Sequence, residues 1–75
     1  MNSYGTVKIK LDALLKEKGL SKNKLSHRAE MQRTQINNYC KNKTGSINLE
    51  ILGRMCRYMD CTPNDILKFK EDESE

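Results

Sequence analysis

Apolar residues fall at regular spacings along most of this chain, and changes in that spacing mark where one element gives way to the next. Val7, Ile9 and Leu11 alternate with Lys8 and Lys10, a period of two that suits an extended segment. Leu11, Leu14 and Leu15 then follow three and four apart, the period of a helix. The pattern predicts an extended lead-in and a first helix from about Lys10 to Lys18, stopped by Gly19. The alternating stub also reads as the first turn of that helix, or as a short edge strand able to pair with another chain.

Residues 21–41 carry the most informative pattern. Leu25 and Ala29 are four apart, and Ile36, Tyr39 and Cys40 recur at three and four. Between the two sets stands one apolar residue, Met31, in a stretch without Pro or Gly. Two short helices joined by a tight corner are expected, with Met31 filling the space between them. Ser21 is a good N-cap for the first, which runs through Ala29, and the second spans Gln32 or Arg33 to Lys41. The outward positions of the second helix are Gln32, Arg33, Thr34, Gln35, Asn37 and Asn38. All can hydrogen-bond and none is acidic, the make-up of a helix that reads base edges in a DNA major groove. The Ser21 cap also places Lys22 and Lys24 near a helix N-terminus, where a cation is unfavourable unless a phosphate docks there.

Residues 42–46, Asn-Lys-Thr-Gly-Ser, form a loop whose side chains suit phosphate contacts. Asn48 caps a fourth helix, with Ile47 and Leu52 as a hydrophobic staple. Leu49, Leu52, Cys56 and Met59 are its expected buried stripe, with Arg54 and Arg57 facing out. Thr62, Pro63 and Asp65 make a capping box with Pro at the first helical position, opening a fifth helix that contributes Ile66 and Leu67 and extends towards Phe69. The expected class is all-α: five helices in one domain over 7–69, a flexible N-terminus at 1–6 and an acidic C-terminal tail at 70–75.

Composition narrows the function. A chain of 75 residues buries only about 60% of its unfolded surface, enough for one modest core and not for a roomy substrate cavity. That argues against an enzyme. Ser26 and His27 are neighbours on a helix, so they point in different directions and no acid orients them for nucleophilic work. Cys40, Cys56 and Cys61 lack metal-ligand spacing, so no metal and no cofactor is expected; Cys40 and Cys56 read as small buried hydrophobes. No apolar run nears the ~20 residues of a membrane span, and the first residues lack a signal peptide's pattern. A soluble, cytoplasmic protein without membrane or small-molecule partner is expected. The net charge of +4 is uneven: residues 1–59 carry twelve Lys/Arg against four Asp/Glu, a net +8, and residues 60–75 two against six, a net −4. The basic part coincides with the helix pair and favours a polyanion. Tyr4, Tyr39, Tyr58 and Phe69 do not cluster as a stacking platform, which disfavours RNA.

Over about residues 9–68 the chain resembles the phage-repressor-like (XRE-type, Cro-like) helix-turn-helix regulators, in their compact single-domain bacterial form. The resemblance is carried by Leu-x-x-Leu-Leu-x-x-Lys-Gly-Leu-Ser at 11–21, by Leu-Ser-x-x-Ala-x-Met…Ile at 25–36, and by Asn-Leu-x-x-Leu-x-x-x-Cys-x-x-Met-x-Cys-Thr-Pro-x-Asp-Ile-Leu at 48–67. It implies a lambda-repressor-like five-helix domain that binds double-stranded DNA as a transcriptional regulator, a repressor in type. Base contacts would come from Gln32, Arg33, Thr34, Asn37 and Asn38, and phosphate contacts from Ser21, Lys22, Lys41, Asn42 and Lys43. A homodimer on an inverted repeat is expected, its surface drawn from Ile66, Phe69 or the Val7–Ile9 stub. The alternative is a protein-interaction module, such as the antidote of a toxin–antidote pair. Two positions depart from the family pattern. Glu30 stands where the corner usually has Gly, which predicts a wider turn, and is expected to point away from the phosphates. Ser26 stands where Ala is favoured.

Overall fold

A computed structural model describes residues 4–71. The expectations for residues 1–3 and for most of the acidic tail lie outside that range. Five helices occupy the centre of the chain: α1 Leu11–Lys18, α2 Lys22–Arg28, α3 Arg33–Cys40, α4 Leu49–Met59 and the single turn α5 Pro63–Ile66. Two short strands, β1 Thr6–Ile9 and β2 Leu67–Lys70, flank them. The core is one cluster in which Leu11, Leu25, Ile36, Met55 and Ile66 are sealed from solvent, joined by Leu14, Leu15, Ala29, Met31, Tyr39, Leu52 and Met59. Met31 is buried between α2 and α3, as its isolation in the sequence predicts.

Four helices stop in the same way. Gly19, Glu30, Asn42 and Asp60 each adopt a left-handed backbone, with φ of 67, 54, 57 and 54°. The following N–H then donates to the carbonyl five residues back: Leu20 to Leu15, Met31 to Ser26, Lys43 to Asn38 and Cys61 to Cys56, at 2.8–3.0 Å. This is the Schellman closure, and in three of the four it seats an apolar residue, Leu20, Met31 or Cys61, just beyond the turn against the core. In α4 that contact is made by two thiols, Cys56 and Cys61, which touch each other. Both are half-buried against the core rather than fully buried, as is Cys40.

The extended reading of the Val7–Ile9 stub holds as β1, and the sequence reading needs correction at the other end of the fold. The fifth helix stops at Ile66, and Leu67–Lys70 pairs antiparallel with β1, with Val7 opposite Phe69, Lys8 opposite Lys68 and Ile9 opposite Leu67. Leu67-Lys68-Phe69-Lys70 alternates apolar and basic just as Val7-Lys8-Ile9-Lys10 does. The period of two wins there over the helical reading, and the stub finds its partner within its own chain. Ile9 and Leu67 pack against the core, while Val7 and Phe69 overhang it on the same face, 58% and 57% exposed. Gly5 lies under the Phe69 ring with φ 91°; a Cβ there would sit 2.6 Å from Phe69 Cζ. On α4, Leu49 is 78% exposed and the buried stripe is Leu52, Met55 and Met59, since Leu49 lies at the first residue of the helix, outside the packed layer.

Candidate nucleic-acid interface

The two helices of the interface are fixed by their ends. Ser21 caps α2, its hydroxyl accepting the Lys24 N–H at 3.1 Å. At the other end Glu30 takes the left-handed conformation itself, so the corner is not widened. Ser26 clasps it from both sides: its carbonyl accepts the Met31 N–H at 3.0 Å and its hydroxyl donates to the Met31 carbonyl at 2.7 Å. Arg54, expected to face outward, instead turns in from α4. Its Nε donates to the Ala29 carbonyl at 2.7 Å and its Nη2 reaches the Glu30 carbonyl at 3.5 Å. A guanidinium there satisfies the unpaired carbonyls of a helix end and complements its negative dipole.

The sequence-predicted residues fall into three placements. Gln32, Thr34 and Asn38 are exposed along α3 and share with Lys43 and Glu30 an open hollow of about 690 Å³. Glu30 therefore stands on the flank of this polar surface. Arg33 and Asn37 lean towards α2: Arg33 Nη1 donates to Asn23 Oδ1 at 2.6 Å, and Lys22 Nζ donates to Asn37 Oδ1 at 3.2 Å. Ser21 lies at the start of the same helix, its hydroxyl committed to the cap. Lys41 and Lys43 are exposed at the end of α3. Asn42 sits between them with its carboxamide engaged on β1, accepting the Ile9 N–H at 2.7 Å and donating to the Ile9 carbonyl at 3.0 Å.

Neither α2 nor α3 has an acidic residue in its first turn, so nothing on those helices neutralises their positive N-termini. Asn23, Ser26 and Arg54 are the contributors the sequence reading passed over. Asn23 lies four residues before His27 on an outer face and carried no periodic signal, whereas Ser26 was visible as a departure from the expected Ala. Among the described residues no group of three or more His, Cys, Asp or Glu side chains could hold a metal ion, and no helix is long and apolar enough to cross a membrane. Burial raises the Cys61 thiol from the ordinary 9.0 to about 11, helped by the adjoining Cys56.

Two helices packed through Leu25, Ala29, Met31 and Ile36, with the second presenting an acid-free polar face, define a helix-turn-helix domain. The chain belongs to the Cro/C1-type HTH DNA-binding domain family, whose model matches residues 10–72. It is a DNA-binding regulator by family and not an enzyme. It is 29% identical over 65 residues to the uncharacterized HTH-type transcriptional regulator YozG of Bacillus subtilis (strain 168), a match covering 87% of this chain and 77% of that one. A crystal structure from Bacteroides fragilis, of a protein provisionally assigned as DNA-binding, superposes with a TM-score of 0.75. It covers 84% of this chain and 100% of that one at 17% identity, which establishes the shared fold.

Proposed function

We propose that this domain binds operator DNA sequence-specifically, with α3 in the major groove, and regulates transcription in the manner of a repressor. The observation that carries the reading is the face of α3: Gln32, Arg33, Thr34 and Asn38 are exposed, Asn37 lies beside them, and no carboxylate interrupts the row. Arg33 suits bidentate recognition of guanine, and the amides suit adenine or other groove-edge partners. Ser21, Lys22, Lys41 and Lys43 flank the row at both ends and supply phosphate contacts. Asn42 belongs to that set through its backbone and its place between two lysines, its carboxamide being engaged on Ile9. So small a module makes few base contacts, so two copies on an inverted repeat, half-sites ~34 Å apart, give useful specificity. Ile66 is fully buried and drops out of the dimer surface, which leaves the exposed Val7 and Phe69.

Selection of bound sequences from a random pool tests the reading. An enriched inverted repeat is expected. Arg33→Ala should weaken binding by about 1–3 kcal/mol at one base position, and Lys43→Ala should weaken all sequences alike. Absence of enrichment at low salt would sink the proposal. The overhanging Val7–Phe69 pair favours one second reading, a protein-interaction module of the antidote kind. Capture of a partner protein at physiological salt without nucleic acid, abolished by Phe69→Ser, would support it.

A further inference from the structure

The α2 residues that touch α3 do more than hold phosphate. Lysine ammonium is a donor only, so the Asn37 atom facing Lys22 Nζ at 3.2 Å is its carbonyl oxygen. The Asn37 carbonyl is thereby turned towards α2 and its NH2 group away from it. Bidentate recognition of adenine needs both groups presented to the base, the oxygen accepting from N6 and the nitrogen donating to N7. An amide presented NH2-first is instead a donor, matched to the acceptors of guanine or the O4 of thymine and mismatched to cytosine, which offers a donor. Arg33 is held comparably: with Nη1 against Asn23 Oδ1 at 2.6 Å, the guanidinium is fixed at one corner and its remaining donors are aimed by that contact. Lys22 has three donors, so one ammonium can hold Asn37 and a backbone phosphate together.

From this geometry we infer that Lys22 and Asn23, at the start of α2, are specificity-determining positioning residues. They decide which bases Asn37 and Arg33 read, without touching a base themselves. The inference rests on the proposal that α3 reads the major groove.

The test is sequence selection by the full chain and by three variants, Lys22→Met, Lys22→Gln and Asn23→Ala, with thermal melting as the check on folding. Lys22→Met should shift the base preference at the Asn37 position towards adenine by about threefold or more, the scale of one hydrogen bond. Lys22→Gln keeps an N–H donor for Asn37 without the charge. It should retain the parent's preference while binding becomes less salt-dependent, with a log–log slope shallower by about 1. Asn23→Ala should relax the preference at the Arg33 position several-fold and leave the others unchanged. If the parent enriches a repeat and Lys22→Met only weakens every sequence alike, Lys22 is a phosphate ligand and the inference is overturned. Loss of preference in Lys22→Gln as well as Lys22→Met would overturn it too, by showing that charge rather than donor geometry matters. No enrichment by the parent would overturn both this inference and the reading beneath it.

Discussion

Glu30 is the residue that fits its place least well. Its left-handed backbone, φ 54°, costs an L-residue other than Gly roughly 1–2 kcal/mol, and its carboxylate belongs to the flank of the polar surface of α3. Glu30→Gly should relieve both faults. Allowing for the greater freedom glycine gives the unfolded chain, a net gain of about 1 kcal/mol is expected, a rise in Tm of roughly 4–8 °C for a domain of this size. On the DNA-binding reading, affinity should rise as well, most at low salt. An unchanged or lower Tm would show that the corner is not strained. Ser26 is the counterpart that makes the corner tolerable. Ser26→Ala keeps the backbone bond to Met31 and deletes the 2.7 Å hydroxyl bond to its carbonyl, so a loss of about 1 kcal/mol is expected in chemical denaturation. The two changes share one turn, so their combination should depart from additivity.

At the scale of elements, the helices were legible and the ribbon was not. Leu14, Leu25, Ile36 and Met59 fall in helical phase, and Ser21, Asn48 and Thr62 stand at the boundaries where caps are found. The ribbon pairs residues 6–9 with 67–70, 58 to 64 positions apart. Each half alone is a four-residue alternation too short to be told from a helix turn, and only pairing decides between them. Separation along the chain also hid the role of Asn42: its suitability for phosphate contact is visible in sequence, its hydrogen bonds to Ile9 thirty-three residues away are not. That carboxamide stands in for a neighbouring strand on the open edge of β1 and ties the ribbon to the end of α3. Asn42→Gly keeps the left-handed backbone and removes the tie. Faster hydrogen exchange at the Ile9 amide and a loss of about 1 kcal/mol are expected; unchanged exchange would refute the brace. The α5 cap adds a pH term. Asp65 accepts the Thr62 N–H at 2.9 Å and its hydroxyl at 3.2 Å, and these bonds lower its pKa below the ordinary 3.8. A lowered folded value means the stabilisation is present above the unfolded value and is lost as pH falls through the folded one. Melting temperatures of the parent should therefore drop more than those of Asp65→Asn as pH falls below the ordinary 3.8 and through the lowered folded value.

Charge governs the whole molecule's encounter with DNA. Residues 1–59, which include the polar helix pair, carry a net +8, whereas the last residues oppose it: Glu71, Asp72, Glu73 and Glu75 add four negative charges. The ribbon that leads to them carries Lys8 and Lys68 directly opposite each other, a like-charge pair that is unfavourable unless an anion lies near. An acidic segment and a phosphate backbone are alternative anions for the same cationic surface, and the tethered one is always present. Ending the chain after Lys70 removes the four acids and raises the net charge from +4 to +8. It leaves every residue of α3 and both strands in place. On the DNA-binding reading, the shortened chain should bind random duplex DNA more tightly and associate faster at ~50 mM salt, with the difference shrinking towards ~200 mM as screening takes over. Preference among sequences should not change, because base edges and not phosphates carry it. Fluorescence anisotropy with operator and random duplexes at both salts separates the two quantities. Equal affinities for the shortened and full chains at low salt would mean that the acidic end does not compete with DNA for the basic face.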